Sequence, residues 1–206
     1  MLILMRHGRS LLNDKKKLCG ESDPKLTTLG ITQGIIVGNW LKQFEIKKIF
    51  TSSTYRSTET AKLINQTLNI GFTVCDELRE RNYGRFEMMP IDKLIEERQN
   101  LNHYFADPTQ DWHDIKDVES DLSIYKRVSK LIKKEYPNNL NGSILLVTHA
   151  GTIKSYLYGC LNISPNRTNC IKVRNASLIV LDYHTSNQLQ LKGLYDFDFL
   201  NKLFST

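Results

Sequence analysis

Leu2-Ile3-Leu4-Met5-Arg6-His7-Gly8 near the start of the chain and Ser143-Ile144-Leu145-Leu146-Val147-Thr148-His149-Ala150-Gly151 far downstream decide how the sequence is read. Each is a short apolar run, the pattern of a buried strand, and each ends in a histidine followed by a glycine within two residues. A third run, Lys48-Ile49-Phe50, ends in Thr51-Ser52-Ser53, and Arg56 follows at the start of a helical pattern. The order strand, basic or histidine residue, helix therefore occurs three times. Such repetition predicts a sheet whose strands run parallel and carry their polar ends to one edge, where α/β proteins place ligands. An isolated Arg-His-Gly arises by chance, so the weight rests on the second histidine-bearing run.

Between and beyond these runs the periodicity gives more elements. Leu29, Ile36, Val37, Trp40, Leu41 and Phe44 predict a helix over 28–44, and Ala61, Leu63, Ile64 and Leu68 predict one over 55–68. Further helices are predicted at 91–97, at 122–136 with Pro137 as its stop, and at 152–158. Short strands are expected at 72–75, 172–174, 177–182 and 188–194, the last antiparallel at the sheet edge. Residues 86–118 break the pattern with Pro90, Pro108, Tyr104, Trp112, His103 and His113. They read as a helical lid or insertion over the site, the two aromatic rings and two histidines either lining its approach or packing in the core. Strands alternating with helices predict a three-layer α/β/α sandwich with a mostly parallel central sheet. A chain of 206 residues fits one such domain, 1–206.

Bulk properties narrow the function. Hydrophobic residues make up 40% and charged residues 24% of the chain, the proportions of an ordinary globular protein. No apolar stretch approaches the roughly 20 residues of a membrane-spanning helix, and Arg6-His7 interrupts the N-terminal run. A cytoplasmic location with no membrane partner is expected. Cys19, Cys75, Cys160 and Cys170 are widely spaced, which favours free thiols over disulfides or a zinc knuckle. The net charge of +6 is concentrated in the first sixty residues. A basic surface can serve nucleic acid, but aromatic-interleaved basic runs, zinc spacing and a helix-turn-helix signature are missing. A small anionic substrate accounts for the same bias. The triplet Lys15-Lys16-Lys17 reads either as a solvated loop or as a flap that attracts anions.

The side chains themselves suggest phosphoryl chemistry. Arg6 offers a planar fork of donors for phosphate oxygens, His7 a nucleophile or base, and Gly8 a close backbone approach. Arg56 opens a helix, where the dipole disfavours a cation, so a functional reason for it is expected.

At this point the chain resembles a family, the histidine phosphatase superfamily, whose members include phosphoglycerate mutases and small phosphatases. The resemblance rests on Arg6-His7-Gly8, Ser10, Asn13, Cys19-Gly20, Leu26-Thr27-Thr28-Leu29-Gly30, Thr51-Ser52-Ser53, Arg56 and Thr60-Ala61. It continues through Leu78-Arg79-Glu80, Tyr83-Gly84, Glu119-Ser120, Arg127 and Val147-Thr148-His149-Ala150-Gly151. These motifs are in the family's order and cover residues 2 to about 180. The resemblance implies a phosphoglycerate mutase-like fold, a phosphorylated His7, a phosphate pocket of Arg6, Arg56 and His149, and Glu80 as general acid. Ser10, Asn13, Cys19, Gly20 and Ala150 are expected to complete the binding pocket. It further implies a phosphomonoesterase of the histidine acid phosphatase type that hydrolyses small phosphorylated metabolites through phosphohistidine, with no cofactor and no metal. A cofactor-dependent phosphoglycerate mutase and a non-catalytic phosphate-binding protein are the alternatives. The phosphatase is preferred because the chain lacks, after Tyr83-Gly84, the Lys- and Arg-rich stretch with which mutases hold bisphosphoglycerate. A small phosphorylated substrate, rather than nucleic acid, is the expected partner, and the oligomeric state is left open, a homodimer included. Three departures bear on substrate preference and lid conformation. Arg9 stands where the family has an acidic residue, Phe86-Glu87-Met88-Met89 differs from the usual aromatic, Glu and Gly, and Val118 replaces a glycine before Glu119-Ser120.

Overall fold

A computed structural model describes residues 1–101, 115–136, 141–163, 171–183 and 189–204. Its centre is a six-stranded sheet in the order β3-β2-β4-β1-β5-β6. The strands are β1 (Leu2–Arg6), β2 (Ile46–Thr51), β3 (Thr73–Val74), β4 (Ser143–Thr148), β5 (Leu178–Tyr183) and β6 (Leu189–Tyr195). β3, β2, β4 and β1 run parallel, whereas β5 is antiparallel to β1 and β6 to β5.

The apolar runs are continuous because both faces of the sheet are covered, as parallel sheets require. Side chains alternate between faces along a strand, and β1 shows the consequence. Leu2 and Leu4 enter one core with Ile144 and Leu146 of β4, against helices α5 (Asp121–Glu135) and α6 (Ala150–Leu161). Ile3 and Met5 enter the other with Leu145 and Val147, against α2 (Thr28–Leu41), α3 (Tyr55–Leu68) and α7 (Phe197–Phe204). The three-layer sandwich and its mostly parallel sheet thus follow from two interleaved apolar sets within the same strands. The other helical pieces of the described chain are α1 (Leu11–Asp14), α4 (Ile91–Leu101) and two 3-10 turns, Asp76–Leu78 and Gly84–Phe86. None of the described helices is long and apolar enough to cross a membrane.

The structure departs from the sequence pattern in three places. Residues 172–174 form no strand. The free edge of β1 is taken by β5, which begins at Leu178, while the Val173 carbonyl is occupied by the Arg6 guanidinium. The strand expected at 72–75 shrinks to Thr73–Val74, paired with β2 alone. Helix α7 was not anticipated. Phe197 and Leu200, three residues apart, bury against the α2 side of the sheet, and Asp196 accepts the Phe199 N–H as a cap. His103, Tyr104, Pro108, Trp112, His113, Pro137 and Cys170 lie outside the described residues. Cys19, Cys75 and Cys160 are free thiols.

The loop after β1 is wedged against the first turn of α2. A Cβ on Gly8 would sit 2.5 Å from the Gly30 carbonyl oxygen, and one on Gly30 would sit 2.1 Å from that of Arg9. Both obstacles are backbone, which cannot swing aside. Gly30→Ala therefore sets two effects against each other. Helix propensity favours alanine by about 1 kcal/mol, whereas forced displacement of packed backbone costs about 1–3 kcal/mol. Net destabilisation is expected, read as a lower urea midpoint with an unchanged m-value. An unchanged or raised midpoint would show that the wedge is not rigid.

Candidate active site

β1 and β4 pair in parallel with Arg6 opposite Thr148, so the residues that follow, His7 and His149, leave the sheet side by side. The His7 N–H donates to the Thr148 carbonyl at 2.9 Å, and the two rings meet edge to face with centroids 5.1 Å apart. The histidines of the two decisive runs, 142 positions apart in sequence, thus share one site.

His7 is 4% exposed and lines a cavity of about 380 Å³. Its Nδ1 lies 2.7 Å from the Gly8 carbonyl oxygen. That oxygen only accepts, so Nδ1 carries the proton and Nε2 keeps its lone pair. Burial, then the positive charges of Arg56 and Arg6, hold the His7 pKa well below the ordinary histidine value. The imidazole is therefore neutral at physiological pH, the state a nucleophile needs.

His149 is fully buried and its pKa is likewise pushed far down, by burial first and Arg56 second. Arg56 Nη2 donates to its Nδ1 at 3.2 Å. The ring proton is therefore on Nε2, which donates to Ser52 Oγ at 2.9 Å, with Ser57 Oγ at 3.4 Å. His149 is thus a neutral donor rather than an imidazolium.

Arg56 sits on the first turn of α3 with no exposed surface. Asp23 offsets the dipole there, accepting the Tyr55 N–H at 2.7 Å and lying 3.8 Å from Arg56 Nη1. The guanidinium is held by backbone carbonyls of the preceding loop, Ser22 at 2.5 Å and Gly20 at 2.8 Å. Arg6 is held the same way, by Val173 O at 2.9 Å. The Nε groups of both arginines are buried without a hydrogen-bond partner among the described residues.

Glu80, 6% exposed, faces the same cavity. Its carboxylate sits on the N-terminus of α6, accepting from Gly151 N at 3.1 Å and Thr152 N at 3.0 Å. A side chain at 151 would collide with it, since a Cβ would lie 2.5 Å from Oε1. The strip carrying Glu80 is clamped on both sides. Arg81 pairs with Asp121 and donates to Ser155 Oγ at 3.0 Å. Arg127 grips Glu119 at 2.8 and 3.0 Å and donates to the Glu77 carbonyl at 2.6 Å. Tyr83, also in the wall, has its hydroxyl pKa raised by burial and by Glu80, so it stays protonated.

Asn13 lines the cavity, and its Oδ1 is saturated by Ser10 N, Ser10 Oγ and Asn175 Nδ2 at 3.1, 3.0 and 2.9 Å. Its remaining polar group, the Nδ2 amide, is a donor. Cys19 and Ala150 are also in the wall, and burial pushes the Cys19 thiol up to about 11. Ser10 and Gly20 are not in the wall. The first orients Asn13, and the second donates its N–H to Glu87 Oε1 at 2.9 Å while its carbonyl holds Arg56. His149 and Arg56 stand directly behind His7 rather than in the wall.

Sequence reasoning missed several contributors. Ser52 and Ser57 fix the His149 tautomer, and Ser52 lay in a quoted motif without a role. Asp23 and Glu87 bind the loop between Cys19 and Asp23. Asn175 bridges Asn13 and the His7 carbonyl at 3.2 Å from a loop that carries no local signal. Among the described residues no group of three or more His, Cys, Asp or Glu is placed to hold a metal ion.

Comparison with known proteins identifies the family and the fold. The model of the histidine phosphatase superfamily, branch 1, matches residues 2–196. A probable phosphoglycerate mutase of Yersinia pestis is 28% identical over 183 residues, 89% of this chain and 85% of that protein. A phosphoserine phosphatase from Entamoeba histolytica, solved with 3-phosphoglyceric acid, superposes with a TM-score of 0.80 at 22% identity, covering 97% of this chain and 98% of that one. An α-ribazole-5′-P phosphatase, described as putative, from Escherichia coli gives 0.76 at 21% identity, covering 95% of each.

Two buried imidazoles held neutral make stability depend on pH. Unfolded, each binds a proton below about pH 6.5. Folded, neither does until the pH is well lower, so the unfolded state carries more protons across that window and stability falls with pH. The melting temperature is expected to drop progressively as the pH is lowered from 7 to 5. His149→Asn is expected to flatten that slope. An identical slope in the variant would place the acid sensitivity elsewhere.

Proposed function

Because the chain belongs to the histidine phosphatase superfamily, branch 1, we propose that it is a phosphomonoesterase that hydrolyses small phosphorylated metabolites through phosphohistidine at His7. The observation that carries this reading is the tautomer of His7. Nδ1 is committed to the Gly8 carbonyl, which leaves Nε2 unprotonated, and His7 lines a cavity shared with Arg6, Asn13 and Glu80.

The steps follow from these groups. Arg6 and the Asn13 amide hold the phosphoryl oxygens, and the positive charge of Arg56, kept in place by His149 behind His7, favours the charge that spreads over them in the transition state. The Nε2 lone pair of His7 forms a bond to phosphorus as the ester P–O bond breaks. The departing oxygen takes a proton from Glu80 in its acid form. Water then attacks phosphorus and gives its proton back to Glu80, the P–N bond breaks, and phosphate leaves with His7 again neutral. Throughout, the Gly8 carbonyl stabilises the proton on Nδ1 as Nε2 becomes bonded and the ring turns cationic.

The same reading takes residues 1–206 as one working domain in the cytoplasm, acting on a small substrate without a cofactor. Helix α4 reaches the cavity wall through Ile91, and on this reading it belongs to a lid over the site. Resemblance to a probable phosphoglycerate mutase favours examining a second reading, in which His7 returns its phosphoryl group to the substrate.

His7→Ala is expected to lower phosphate release by roughly 10³-fold or more, and Glu80→Gln by about 10²–10⁴-fold. Acid-labile phosphate should be trapped on wild-type protein and be missing from His7→Ala. Conversion of 3-phosphoglycerate primed with 2,3-bisphosphoglycerate, measured beside phosphate release, separates the two readings. Isomerisation that outruns release would establish the mutase instead.

A further inference from the structure

The cavity holds more positive charge than one phosphoryl group uses. Besides Arg6, its wall includes Arg9, Lys16 and Lys17, against a single carboxylate, Glu80. Arg9 is neutralised by its ion pair with Asp14. Among the described residues neither Lys16 nor Lys17 has a carboxylate partner, and Glu80 is engaged by the amides of α6. Two ammonium groups are therefore left unmatched in a concave wall.

These lysines are not on a loose loop. Lys16 ends α1 with a left-handed φ of 50°, a costly conformation for a residue with a side chain. Its carbonyl accepts the Ile91 N–H at 2.8 Å, and Lys17 bridges to Pro90. Next along the chain, Leu18 exchanges backbone bonds with Met88 and Met89 at 3.1 and 2.8 Å. A short ladder thus fastens the lysine-bearing segment to the entrance of α4, with Lys16 and Lys17 at the cavity wall. A loop whose only task was solvation would need no such anchoring.

We propose that Lys16 and Lys17 form a second anion subsite, and that the substrate is a phosphomonoester carrying another anionic group, a carboxylate or a second phosphate, beside the phosphoryl group that is transferred. The proposal rests on the phosphomonoesterase reading for its turnover and on the cavity alone for its binding. Lys15 lies outside the wall and takes no part.

The test uses matched pairs that differ only in the second anion. 3-Phosphoglycerate is compared with glycerol phosphate for the carboxylate, and propanediol bisphosphate with its monophosphate for the phosphate. The ratio of kcat/KM within each pair is the readout. Wild type is expected to favour the doubly anionic member of at least one pair, and the larger ratio names the group. Lys16→Gln and Lys17→Gln should each lower that ratio roughly tenfold, and added salt should lower it in wild type. Lys15→Gln should keep the wild-type ratio. Ratios near one in both pairs, or a ratio unmoved in the double variant, would overturn the subsite while leaving the phosphatase standing. If wild type hydrolyses none of the four compounds, the phosphatase reading fails, and calorimetric titration with 3-phosphoglycerate and propanediol bisphosphate decides the subsite. Binding weakened by the double variant supports it, and binding indifferent to the lysines, or no binding, overturns it.

Discussion

The parallel register of β1 against β4 is the constraint from which the site follows. Arg6 faces Thr148, and one more residue on each strand gives His7 and His149. Neighbouring strands are about 4.8 Å apart, which is the scale of the 5.1 Å between the two rings. A slip of one residue would exchange the two apolar faces of a strand, placing Leu2 and Leu4 in the core meant for Ile3 and Met5. Register is therefore fixed by burial along the whole strand, and the histidine pair is positioned by residues that never touch a substrate.

Burial beside arginines then sets the protonation states. Removing an imidazole from water disfavours its charged form, and a nearby guanidinium adds to that. Both histidines are neutral for this reason, and each tautomer is chosen by a neighbour, the Gly8 carbonyl for His7 and Arg56 for His149. Glu80 is positioned by backbone amides, those at the N-terminus of α6, the helix that begins immediately after His149. One strand end and the helix beyond it therefore supply both a histidine and the seat of the acidic residue.

The sequence made the skeleton legible because its apolar periods are local. The apolar runs at 2–5, 48–50 and 143–147 and the helix at 55–68 could be read from windows of a few residues, and so could the histidines that follow two of the runs. What escaped was set by distant partners. Val173 reads as part of a strand, yet its carbonyl is taken by Arg6 and the edge it would join is filled by β5. Helix α7 is too short to announce itself, and its two buried residues have meaning only against α2. Asn175, Asp23 and Glu87 act through hydrogen bonds to loops far away in sequence, where no spacing rule applies. Ser10 and Gly20 were read as pocket residues from their neighbours in the motif, and they instead hold Asn13 and Arg56 in place.

How the arginines are satisfied determines how much positive charge the cavity keeps. A buried guanidinium paired with a carboxylate would be electrically spent. Here Arg6 leans on the Val173 carbonyl, and Arg56 on those of Gly20 and Ser22, with Asp23 no closer than 3.8 Å. Carbonyl dipoles supply acceptors for the N–H groups without cancelling their charge, so the field of both cations persists in the cavity at low dielectric. That field adds to burial in holding His7 unprotonated, and in the proposed reaction it is what meets the phosphoryl group.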